Sequence, residues 1–114
     1  MNTDSTITSP AGALAILCTC PNGEEANRIA RVLVEEALAA CVNVVPGVRS
    51  VYYWQGSVEE ADEQLLIVKA PAQHFAALEA RIRALHSYSV PEILALPVAA
   101  GSAPYLDWLI RAGR

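Results

Sequence analysis

Apolar and polar positions change period several times along the chain, and each change predicts an element. Ala13 to Thr19 is a short, almost unbroken apolar run closed by Pro21-Asn22-Gly23, the pattern of a buried central strand. Asn22 followed by Glu25 reads as a capping pair at a helix start, with Glu24 and Glu25 well placed near the positive end of the helix dipole. Ala26, Ile29, Ala30, Leu33, Val34, Ala37 and Leu38 then fall at helical spacing on one face, with Arg28, Arg31, Glu35 and Glu36 elsewhere. That predicts a helix with one side buried against a sheet. Ala40 to Trp54 follows as a single long strand. If straight it would reach about 50 Å, longer than the ~35 Å diameter of a compact domain of this size. Pro46-Gly47 supplies a bend, because proline lacks the ladder N–H and glycine accepts bulge geometry.

Beyond the bend, Val48, Tyr52 and Trp54 share one face and Val51 and Tyr53 the other, so both faces are apolar. Such a surface is seldom left in water, and another copy of the chain is its simplest cover. Gln55-Gly56 and the acidic stretch around Glu59, Glu60 and Asp62 read as a polar turn, after which Glu63 to Ala70 returns as the partner strand of a hairpin. Pro71 opens a second helix with Phe75, Leu78, Ile82 and Leu85 toward the core. Ile93 to Val98 is a fourth strand whose Pro97 suits an edge, and Ser102 caps a short last helix with Tyr105, Trp108 and Leu109 inward.

The order strand, helix, strand, strand, helix, strand predicts an α+β fold, a ferredoxin-like βαββαβ sandwich with an extended central hairpin and a short C-terminal helix. Its helices cover one sheet face. The other has no cover from this chain, a second and independent reason to expect an oligomer. Residues 1–12 read as a flexible polar tail and 13–112 as one domain, in keeping with a length of 114 residues.

Charge and cysteines narrow the partners. A formal charge of −4 leaves no basic stripe for phosphate, so neither nucleic acid nor an anionic membrane is an expected partner. No apolar run of about 18 residues is present, and the first dozen residues lack the basic start and apolar stretch of a secretory signal. Three cysteines, Cys18, Cys20 and Cys41, cannot all pair within one chain. That points to a reducing compartment, most simply the cytoplasm.

Three motifs are recognisable together: ACVNVVPGVRSVYYWQG from Ala40, HSYSVPEIL from His86 and YLDWL from Tyr105. In order and spacing they resemble the CutA family of divalent-cation tolerance proteins, a likeness that runs from Ala13 to Leu109. The resemblance implies a homotrimer whose hairpins extend onto neighbouring subunits, here through Val51, Tyr52, Tyr53 and Trp54. It implies binding of copper or other divalent metal ions and no catalytic activity. It also implies a topological likeness to the trimeric nitrogen-regulatory signal proteins, which hold small ligands in clefts between subunits.

Candidate metal ligands follow residue by residue. Cys18 matches the cysteine of the copper site proposed in the family, and Cys20, two residues on, points its thiol to the same face as an auxiliary donor. Paired thiols suit copper(I). His86 matches the histidine of a His-Pro-Tyr motif, with Ser87 in place of the proline, and a further histidine used in the family is replaced by Leu85. Glu92, fixed behind Pro91, offers a carboxylate to a metal or a ligand amine. Tyr88 and Glu92 are expected at a ligand cleft, which gives the second reading of the chain: a trimeric signalling or regulatory module that holds small anions or metabolites between subunits. A third, an enzyme with Cys18 as nucleophile and His86 as base, has no orienting group or oxyanion motif to support it.

Overall fold

The computed structural model describes residues 9–114. Seven regular elements follow in order: β1 (Ala13–Cys20), α1 (Gly23–Glu35), β2 (Cys41–Trp54), β3 (Ser57–Pro71), α2 (Phe75–Leu85), β4 (Leu94–Pro97) and α3 (Ala103–Ile110). The strands form one sheet in the order β2-β3-β1-β4, every neighbouring pair antiparallel. This is the expected α+β, ferredoxin-like arrangement, with β1 and β3 central and β2 and β4 at the edges. Of the tail expected over residues 1–12, the first eight lie outside the described residues. Ser9 lies in a turn against β4's exit, its hydroxyl donating to the Val98 carbonyl at 2.8 Å.

Strand alternation builds the core. Leu14, Ile16, Cys18 and Cys20 of β1 and Leu66, Val68 and Ala70 of β3 point to one face and meet Ala26, Ile29 and Leu33 of α1 and Leu78 and Ile82 of α2, all buried. Fully burying a large aliphatic side chain contributes about 1.5–3 kcal/mol, so this layer supplies most of the favourable free energy of the fold. The other face is covered only at one end, where Leu109 of α3 packs with Ala13 and Ala40. Along the rest of it Leu17, Leu65 and Ile67 are half-buried and Leu94 and Leu96 are exposed. The face expected to be bare is therefore partly roofed by the chain's own last helix.

Several boundaries differ from expectation, each for a local reason. α1 ends at Glu35 rather than Leu38, because Ala37 adopts a left-handed conformation (φ 59°) and the N–H groups of Leu38 and Ala39 both turn back to the Leu33 carbonyl. The acidic stretch is strand, not turn. Gln55 and Gly56, both at positive φ, close a two-residue hairpin turn, so β3 begins at Ser57 and Glu59 and Glu60 pair opposite Tyr52 and Val51. Arg49 forks onto Glu60 across the strands at 2.7 and 3.1 Å. Pro71 ends β3 instead of opening a helix, and a 3₁₀ turn at Ala72–His74 precedes α2. Within that turn His74 Nδ1 bonds the Leu38 carbonyl at 3.2 Å. β4 is shorter than expected, Leu94–Pro97, and its proline lies on an edge strand as anticipated. Ser102 occupies the cap position of α3 without a side-chain hydrogen bond. Tyr105 faces outward, its ring beneath the Lys69 ammonium at 5.8 Å.

The long strand bends where proline and glycine stand. Its pairing with β3 slips between Val45 and Val48, and Gly47 takes φ 75° in the bulge. Beyond it the hairpin projects as an arm, every residue from 51 to 60 exposed. Cross-strand pairing places Ser50, Tyr52 and Trp54 on the same face as Glu59, Ala61 and Glu63, and Val51 and Tyr53 on the other with Val58. Both faces of the arm are thus apolar in part, and they look in different directions.

Candidate functional site

The site forms where the end of β1 meets the segment after α2. Cys18 and Cys20 are two residues apart on an extended strand, so both thiols enter the helix-covered core, and both are fully buried. Cys18 Sγ donates to the Thr19 carbonyl at 3.8 Å. The neighbouring Cys20, then burial, pushes the Cys18 thiol far above the ordinary cysteine range. Cys18 in turn lowers Cys20 and outweighs the burial that opposes it. Cys41, at the start of β2, lies outside this cluster and half-buried.

His86 follows α2, its backbone N–H donating to the Ile82 carbonyl at 2.8 Å. Its ring crosses to β1 and is fully buried. Nε2 lies 2.7 Å from the Thr19 carbonyl, which only accepts, so Nε2 carries a proton. Nδ1 receives the Tyr88 backbone N–H at 3.0 Å and therefore carries none. Among the described residues, Cys18, Cys20 and His86 are the group whose ligating atoms come within 4.8 Å of one another. Leu85, just before the histidine, packs against the core. Glu92 is not in this group. It is exposed on the wall of a neighbouring cleft, although near enough for its charge to contribute to the rise at Cys18.

Behind the imidazole stands a residue that the sequence disguises. Asn22 Oδ1 does accept the Glu25 N–H at 2.8 Å, as a capping pair requires. The Glu25 carboxylate, however, is 6 % exposed and turns toward α2's exit. Its Oε2 accepts the Ser87 N–H and the Ser87 hydroxyl, both at 3.0 Å, and lies 3.3 Å from His86 Nδ1. Burial raises its carboxyl, but the two Ser87 bonds, with Arg28 nearby, overcome this and hold it below the usual carboxylate range. Ser87, standing where the family motif has proline, thus has a task of its own: its free N–H is one of the two donors, and proline has none.

The segment from Ser87 to Glu92 forms one wall of a cleft of about 700 Å³, opposite the inner face of the hairpin arm. Tyr88 crosses between them, its hydroxyl donating to Glu63 Oε2 at 2.8 Å while its ring packs against His86 with centroids 4.8 Å apart. Burial and the Glu63 bond push the phenol well above its ordinary range, so it remains a donor. Tyr88 and Glu92 both line the cleft, and Tyr52 and Trp54 line its outer wall. Glu63 and Thr19 belong to it too, a membership no motif announced. Pairing opposite Val48, beyond the bulge, turns Glu63 to this face.

The sequence and the fold have counterparts among known proteins. A family model described as CutA1 divalent ion tolerance protein matches residues 14–112. The divalent-cation tolerance protein CutA of Thermus thermophilus is 56% identical over 94 residues, 82% of this chain and 91% of that protein. Human Protein CutA is 44% identical over 100 residues, of which this chain spans 88% of itself but only 56% of the human protein. Among solved structures, the Thermus thermophilus protein superposes with a TM-score of 0.84 at 55% identity, covering 85% of this chain and 94% of that one. CutA from Xylella fastidiosa gives 0.87 at 42%, covering 90% and 99%. On this agreement of sequence and architecture over residues 14–112, the chain belongs to the CutA1 divalent ion tolerance family.

Proposed function

We propose that this protein is a homotrimer that captures a soft metal ion, copper foremost among divalent and monovalent candidates, and contributes to metal tolerance in a reducing compartment such as the cytoplasm. The observation that carries the reading is the convergence of Cys18, Cys20 and His86 donor atoms within 4.8 Å inside the core. Two thiols side by side favour copper(I) over hard cations. Both thiols would give up their protons to the solvent as the ion binds. His86 enters as a third ligand only by giving up one of its two hydrogen bonds, since its Nδ1 lone pair is held by the Tyr88 N–H and its Nε2 proton by Thr19. The site is thus a two-thiolate site with a histidine in reserve. Its burial supports a role in holding an ion rather than in nucleophilic catalysis, which needs an exposed, low-lying thiol.

Assembly is supported by the outward face of the arm, where Val51, Tyr53 and Val58 are 64–70% exposed, and by Leu94 and Leu96 on the open sheet face. No helix among the described residues is long and apolar enough to cross a membrane. The rice relative is named as chloroplastic and the Archaeoglobus fulgidus protein as periplasmic; in this chain the free thiols favour a reducing compartment.

Titration of the reduced protein with copper(I), against a competing chelator, tests the reading. Binding that is lost in the Cys18→Ala/Cys20→Ala protein and weakened in His86→Ala supports it. Uptake no tighter in the wild type than in the double variant contradicts it. The cleft favours a second reading, a small-ligand module, because a cavity of this size with convergent polar groups beside an exposed aromatic wall is the usual form of a binding site.

A further inference from the structure

We infer, resting on the second reading above, that the cleft between the hairpin arm and residues 87–92 takes an organic cation, an amine or polyamine, and not the small anion that the motif reading allowed. The charge inside it decides the class. Glu63 is 8% exposed, and the one donor that reaches it is neutral: the Tyr88 hydroxyl on Oε2. Among the described residues no donor bonds its second oxygen. Arg49, across the sheet, is turned to Glu60 instead. A largely buried carboxylate answered only by a neutral donor is open to an ammonium group as its counter-charge.

Glu92 adds a second carboxylate on the opposite wall, and no Lys, Arg or His is among the described residues that line the cleft. From this chain an anion would meet only like charge there. The remaining wall is aromatic. Tyr52 and Trp54, 44% and 47% exposed, present ring surface that suits the alkyl portion of an amine and attracts its charge. A volume of about 700 Å³ is room for a molecule of that kind rather than a bare ion. A metal ion has its three converging donors elsewhere, at Cys18, Cys20 and His86. The arm that forms the outer wall is also the arm proposed to reach a neighbouring copy, so the ligand would sit at a subunit boundary.

The test is calorimetric titration of the full, reduced protein with spermidine and phenethylamine as cationic probes, and benzoate and citrate as anionic ones. The cationic probes are expected to bind and the anions not. Glu63→Gln, which keeps an acceptor for the Tyr88 hydroxyl, is expected to weaken binding by at least about tenfold, equivalent to about 1.4 kcal/mol. Trp54→Ala, with its assembled mass checked by light scattering because the residue is also expected at the subunit contact, is expected to weaken binding as well. The Cys18→Ala/Cys20→Ala protein is expected to bind the amines unchanged, which separates this site from the metal cluster. Binding of anions alone overturns the cationic class while leaving a ligand cleft standing. Binding of neither overturns both, as would a cleft already filled by the neighbouring subunit. Amine binding indifferent to Glu63→Gln and Trp54→Ala is surface adsorption and overturns the assignment.

Discussion

Removing the carboxylate of Glu25 is expected to loosen the site more than any single change at a thiol. In Glu25→Ala the Ser87 N–H and hydroxyl lose a common acceptor at 3.0 Å. A hydrogen bond to an ionised partner contributes about 1.5–3 kcal/mol, and Ser87 is exposed enough for both of its donors to find water. The expected loss is therefore about 2–3 kcal/mol rather than the sum of two full bonds. Glu25→Gln keeps an acceptor oxygen and loses the charge, for a loss of about 1 kcal/mol. The pH dependence has a definite sign. The folded-state carboxyl sits below its unfolded value, so the unfolded chain takes up its proton first as pH falls. The stabilisation is complete above the ordinary carboxylate range, about pH 4–5, and disappears as pH drops through the lowered folded value. Urea unfolding at one protomer concentration, followed by circular dichroism at several pH values, measures it. The gap between wild type and Glu25→Gln should be full at neutrality and close in acid. A gap that is constant with pH, or a Glu25→Ala protein within about 0.5 kcal/mol of wild type at neutrality, refutes the reasoning.

Other consequences are equally open to measurement. In an ultraviolet thiolate titration, Cys18→Ala should move the ionisation of Cys20 to higher pH, since the neighbouring Cys18 is what lowers it; an unchanged midpoint contradicts the coupling of the two thiols. Gly47→Ala should cost about 1–2 kcal/mol through backbone strain alone, since the residue holds φ 75° and an added Cβ meets nothing within 4 Å. A neutral result in urea unfolding would mean that the bulge relaxes. Tyr53→Asp with Val58→Asp should lower the assembled mass in light scattering while leaving the far-ultraviolet spectrum intact, and an unaltered mass would remove that face of the arm from the interface.

Legibility in the sequence followed the strength of local signals. The apolar run of β1, the helical periodicity of α1 and the Pro46-Gly47 bend each have a physical cause within a few residues, and the order of elements was enough for the topology. The paired orientation of Cys18 and Cys20 was readable for the same reason: the two-residue period of a strand. The acidic run was misread because composition suggested a solvated turn, while the two-residue positive-φ turn at Gln55-Gly56 needs no more loop than itself. Glu25 was hidden by a valid local reading, since its N–H does join the Asn22 cap while its carboxylate answers a partner 62 positions away. Glu63 was hidden likewise: its face depends on a register shift between two strands, which no local pattern displays.

Native mass spectrometry under reducing conditions after exposure to copper(I) tests the central claim most directly, because subunit number and bound ions are read in one spectrum. The expected result is a trimer carrying up to one ion per subunit, with the ions absent and the trimer retained in Cys18→Ala/Cys20→Ala. A protein that takes up no copper, or takes up as much without its two buried thiols, contradicts the account.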